Sequence, residues 1–161
     1  MKCQRCGTQP GYHSFEHLAD LSATSLFYCY PAHNTKSVRT HEDMLNFASH
    51  FPDEGSWRLL FHANGYGLKQ LMPLPIALEL GRLVQEKHLG RLEKVYIVEG
   101  SWFFTFLLQC ILPWLRKEMR EIFVLLSGSL LEVMSQLEAE GIPLSCLSEL
   151  RQRFGKVESE R

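Results

Sequence analysis

Residues 94–115 read KVYIVEGSWFFTFLLQCILPWL, and the fold turns on how this stretch divides. KVYIV is a short β-branched and aromatic run, the pattern of a strand buried on both faces. From Gly100 to Leu115 there is then no charge at all. A helix that spans a bilayer needs roughly 20 apolar residues, and Pro113 interrupts this one near its end. The spacing therefore predicts a helix over 101–115 that does not cross a membrane. Its polar residues Ser101, Thr105 and Gln109 recur every fourth position and so occupy one narrow stripe. Everything else around it is apolar: Trp102, Phe103, Phe104, Phe106, Leu107, Cys110, Ile111 and Trp114 among others. A helix on the surface of a globular protein carries an apolar stripe of about 100°. This one carries far more than a single sheet covers. The surplus predicts contact with an apolar ligand, a membrane surface or a protein partner.

Outward from this stretch, strands and helices alternate. LFYCY (26–30), WRLLFHA (57–63) and EIFVLL (121–126) read as further strands. THEDMLNFASHF (40–51) opens with a capping-box pattern at Thr40 and Asp43 and runs as a helix until Pro52 and Gly55. Residues 76–89, 129–140 and about 145–154 show helical spacing. The alternation predicts an α/β fold: one small domain with a parallel or mixed sheet of about four to five strands and helices packed on it. We divide the chain into an N-terminal segment (1–23), the domain (24–155) and a charged tail, KVESER (156–161).

Seventeen basic residues against 18 acidic ones leave a net charge of −1, so no bulk field draws the chain to nucleic acid. No apolar signal core opens the sequence, and its five cysteines are scattered. Both features predict a reduced, cytoplasmic protein, with peripheral membrane contact through the apolar helix.

The order of elements and several short motifs resemble the second half of a CRAL-TRIO lipid-binding domain, over roughly residues 24–155. The residues that carry the likeness are the lead-in Arg91, Leu92 and Lys94, the strand Tyr96–Val98, and the corner Ser101–Phe103. Pro113 and Leu115, the strand Ile122–Leu125, the pair Leu130-Leu131 and the corner Ile142-Pro143 complete it. The corner motifs look most like the divergent branch found beside Rho GTPase-activating and exchange modules. The resemblance implies no enzyme activity and no cofactor. It implies a lipid or other small hydrophobic ligand in an apolar pocket gated by helix 101–115, with Trp102, Phe103, Phe104, Phe106, Leu107, Cys110, Ile111 and Trp114 as gate residues. It allows an alternative, an interaction module or assembly subunit whose partner is a protein such as a small-GTPase regulator. Gly90 and Glu121 stand where phosphoinositide-binding members carry an acidic residue and a lysine, which argues against an inositol headgroup.

Two other constellations bear chemistry. Cys3, Cys6, His13 and His17 form C-x2-C-x6-H-x3-H, soft ligands of the kind zinc takes, with both histidines on one face if the segment is helical. His is common throughout this chain, and the expectation is that no metal is bound there. His62 and Glu99 end two strands, the position where α/β enzymes gather their chemistry, but no nucleophile motif accompanies them.

Overall fold

The computed structural model describes residues 3–159, with side chains through Gly155. Five strands form one mixed sheet in the order β1-β2-β3-β4-β5: Phe15–Leu21, Thr24–Cys29, Ser56–His62, Leu92–Val98 and Phe123–Leu126. β1 runs antiparallel to β2, and the other three pairings are parallel. The α/β class and the mixed sheet are as the sequence predicts.

Strand order equal to chain order has a consequence. Parallel crossovers are right-handed, so every connection that steps the same way along the sheet places its helix on the same face. That face receives α2 (His41–Ala48), α3 (Leu74–Lys87), α4 (Trp102–Ile111) and the short α5 (Lys117–Glu121). After β5 the chain is free to cross over. It covers the opposite face with α6 (Leu130–Ala139) and α7 (Leu144–Ser159).

The pleat sorts the side chains accordingly. On β3, Trp57 and Leu59 face the α2–α5 layer, while Leu60 faces α6 and α7; on β4, Val95 and Ile97 oppose Tyr96 and Val98 in the same way. Under α6 and α7 the core is closed, with Leu26, Leu60, Leu137, Leu150 and Phe154 fully buried. Capping boxes at Thr40/Asp43 and Ser129/Glu132 start α2 and α6, each worth about 1 kcal/mol.

Three parts of the chain gain detail in the structure. Within the N-terminal segment 1–23, residues 15–21 form β1, which pairs with β2, and a short helix α1 (Gln4–Thr8) precedes it. Helix 101–115 is α4 followed by a 3-10 turn, Leu112–Trp114. A proline at 113 has no N–H for the helical ladder, and its ring crowds the carbonyl of Gln109, so the α-helix ends where it does. Of the tail 156–161, the backbone of residues 156–159 continues α7 and the rest lies outside the described residues. Among the described residues no helix is long and apolar enough to cross a membrane.

Candidate ligand-binding site

On the α6 and α7 side a polar hollow of about 440 Å³ opens only at the strand ends, beside Glu99, Leu126 and Val133, whereas under α3 and α4 the sheet face itself is uncovered. A cavity of about 520 Å³ lies there, open to solvent over part of its surface. Its floor is Trp57, Leu59 and Phe61 of β3 with Val95 and Ile97 of β4 and Phe123 of β5. Ala77, Leu80, Gly81 and Val84 of α3 form one wall, and Phe104, Leu107, Leu108 and Ile111 of α4 another. Phe47 and Phe51 enter from the α2 end, and Tyr66, Leu71 and Met72 from the loop ahead of α3. The lining is almost wholly apolar. Burial pushes the Tyr66 phenol up from its usual range, so it stays neutral there. Among the described residues the indole N–H of Trp57 and Nε2 of His13 are the buried side-chain polar atoms without a protein partner.

Close approach of the roof depends on Gly81. A Cβ at that position would sit 2.8 Å from Cδ2 of Leu115, so any larger residue makes the Leu115 side chain shift. Ser101 caps α4, its hydroxyl accepting from the N–H of Phe104 at 3.2 Å. Phe104 is thereby held facing Phe61, with ring centroids 5.3 Å apart, and Tyr66 meets it edge-on at 5.1 Å.

No residue of α4 is fully buried. Of the expected gate residues, Phe104, Leu107, Cys110 and Ile111 line the cavity. Trp102 and Phe106 point the other way, 82 % and 57 % exposed, and Trp114 in the following turn is 71 % exposed. Phe103 is half-buried and touches Trp102 edge-on at 6.1 Å. The helix thus has an inner apolar face over a hollow and an outer aromatic face in solvent. Leu108 belongs to the inner face and was not among the residues the motif singled out; its place one turn after Phe104 is the signal that assigns it.

His62 and Glu99 do meet at the strand ends. Glu99 Oε2 lies 3.1 Å from His62 Nε2 and accepts from the Asn64 amide at 2.6 Å. A carboxylate only accepts, so Nε2 carries the ring proton and Nδ1 accepts from the Tyr28 hydroxyl at 2.8 Å. Tyr30 stacks on the imidazole at 4.4 Å and Phe154 closes on it at 4.6 Å, leaving the ring 0 % exposed. Both nitrogens are therefore engaged within the protein. Glu99 takes a left-handed φ of 54°, uncommon for a residue with a side chain, and these bonds hold it there.

The N-terminal ligand candidates part company. Cys3, Cys6 and His13 converge, but His17 lies on β1 rather than on a helix, and its Nε2 sits 2.9 Å from Asp20 at the surface. The fourth group in the cluster is His50, just past α2. No spacing rule reaches from residue 13 to residue 50; only the fold brings them together.

No curated protein matches the chain. The profile of the CRAL/TRIO domain matches residues 17–144, about four-fifths of the length, and begins within β1. Its members bind lipids and other small hydrophobic molecules, are generally not enzymes and typically need no cofactor. The five-stranded mixed-sheet α/β fold is consistent with this match, and the chain belongs to the CRAL/TRIO domain family.

Proposed function

We propose that this protein binds a lipid or another elongated apolar molecule in the cavity between the sheet and helices α3 and α4, with α4 as its gate, and that it catalyses no reaction. One observation supports this above the others: a helix with no fully buried residue roofs an apolar hollow of about 520 Å³. Ligand pockets generally fall between about 300 and 1,000 Å³. A sealed and empty apolar void of that size costs on the order of 12 kcal/mol at roughly 24 cal/mol per Å³. That equals the whole stability of a typical domain. Closing the roof over an empty hollow is therefore unfavourable, which supports an occupant. Each buried methylene contributes about 0.8 kcal/mol, so a dozen supply roughly 10 kcal/mol without a hydrogen bond.

The outer face of α4 fits the delivery step. Trp102, Phe106 and Trp114 are exposed, an aromatic flank suited to a membrane interface, and the chain that follows carries Arg116, Lys117 and Arg120 interleaved with Glu118 and Glu121. Docked there, α4 swings with its inner face entering the acyl region, and the protein works as a cytoplasmic carrier with peripheral membrane contact. The same aromatic flank favours a second reading, in which it seats a protein partner and the cavity stays unused.

Titration with a fluorescent long-chain fatty acid, with competition by unlabelled lipids, tests the first reading. Saturable 1:1 binding lost in Phe104→Asp and Leu108→Asp, with circular dichroism unchanged, supports it. Absence of saturable binding by wild type to any lipid class, with capture of a protein lost in Phe106→Asp, supports the second.

A further inference from the structure

Outside the cavity, four soft ligand atoms converge between the N-terminal turn and the end of α2. We propose that Cys3, Cys6, His13 and His50 hold one zinc ion in a closed, structural, tetrahedral site. Zinc binds thiolate sulfur at about 2.3 Å and imidazole nitrogen at about 2.0–2.1 Å, which sets the edges of an ideal tetrahedron near ~3.6 Å for sulfur to nitrogen and ~3.3 Å for nitrogen to nitrogen. His13 Nδ1 lies 3.6 Å from Cys3 Sγ and 3.8 Å from Cys6 Sγ. His50 Nε2 lies 3.4 Å from Cys6 Sγ and 3.2 Å from His13 Nδ1. All four ligand atoms fall within 4.8 Å of one another. Four of the six edges thus match those of a zinc tetrahedron, and the two involving Cys3 with Cys6 and with His50 stay within 4.8 Å. Thiols are weak hydrogen-bond donors, so hydrogen bonding gives the two cysteines little reason to gather on the His13–His50 pair.

Charge and surroundings agree with the distances. Two thiolates cancel the charge of Zn²⁺ and two neutral imidazoles add none, so the centre is neutral and tolerates burial. Cys3 is 3 % and His13 6 % exposed. Tyr12 and Phe47 meet the His13 ring edge-on at 4.8 and 5.4 Å, and Phe15 lies 5.7 Å from the ring of His50. With four protein ligands and an aromatic shell the ion has no open position, so it is structural and not catalytic. It fastens the N-terminal turn to the end of α2. Phe47 touches His13 and also lines the cavity, so the ion steadies that end of the ligand site. On binding, each thiol gives up its proton to solvent.

The test uses the full chain purified from zinc-supplemented medium, desalted and assayed for metal by elemental analysis, then reloaded with Co²⁺. The site predicts one zinc per chain and, with cobalt, the intense visible bands of a tetrahedral thiolate centre. Cys3→Ser, Cys6→Ser and His50→Gln each lose stoichiometric zinc, while His17→Gln keeps it. If the cysteine variants fail to fold, the wild-type cobalt spectrum and His50→Gln decide. A folded wild type that binds under a tenth of an equivalent when offered free zinc overturns the proposal. So does a Cys3–Cys6 disulfide in protein prepared without oxidant, or full zinc retention by His50→Gln.

Discussion

Phe61 of β3 and Phe104 of α4 stack with centroids 5.3 Å apart and planes 23° apart, and this contact ties the roof of the cavity to its floor. Aromatic pairs contribute about 0.5–1.5 kcal/mol beyond their buried area. A gate that opens must break this one. Phe104→Ala is thus expected to speed release of a bound fluorescent lipid by roughly 2- to 12-fold, each 1.36 kcal/mol being tenfold in rate. Stopped-flow dissociation in the presence of acceptor vesicles measures it. An unchanged release rate removes Phe104 from the gate.

Filling the cavity separates binding from folding. Ala77 lies on the α3 wall, so Ala77→Phe places a ring in the hollow without displacing a core residue. Lipid loading is expected to fall at least tenfold while the thermal midpoint holds or rises, since an occupied void no longer has to be closed by ligand. Loading unaffected by the added ring places the ligand elsewhere.

The outer face of α4 carries a different expectation from the inner one. Phe106 and Trp114 are exposed, and Asp at both positions leaves the folded protein's stability within about 0.5 kcal/mol of wild type. Cosedimentation with vesicles containing anionic lipid is predicted to drop severalfold, with binding of lipid monomers retained. Equal cosedimentation of variant and wild type contradicts a membrane role for this surface.

Acid sensitivity has an assignable source. Lys94 donates to Glu140 at 2.5 Å and Tyr96 at 3.0 Å, and the lysine above all holds the Glu140 carboxyl below the ordinary carboxylate range. Burial, together with this carboxylate, pushes the Tyr96 phenol up to about 12, so it remains a neutral donor. A depressed folded-state pKa contributes stability that is whole above the unfolded value of about 4.3 and is lost as pH falls through the folded value. Denaturant melts of Glu140→Gln should therefore lose less stability than wild type between pH 5 and 3, while being the less stable protein at pH 7. Parallel curves for the two over that range refute the assignment.

Much of the architecture is legible in sequence because it rests on local patterns. The parallel strands β2 to β5 are apolar runs between turn residues, and Thr40, Ser101 and Ser129 mark helix starts as caps do anywhere. β1 is not legible. Its Glu16, His17 and Asp20 are what an exposed edge strand tolerates, and only pairing with β2 reveals it. The gate helix announces itself by its missing charges. Which of its residues face inward depends on the placement of α3, which Gly81 and Leu115 set through a contact between positions 34 residues apart. The Cys/His cluster shows the same limit: three of its members are near neighbours in sequence, and His50 joins them only through the packing of α2 on β1.

Native mass spectrometry of the freshly purified chain asks the central question in one spectrum. We predict a population heavier than the apoprotein by the mass of one apolar molecule, which organic extraction recovers and which Ala77→Phe lacks. A wild type that runs only at the mass of its polypeptide and any bound metal, and that gains nothing after incubation with mixed lipid vesicles, contradicts the account.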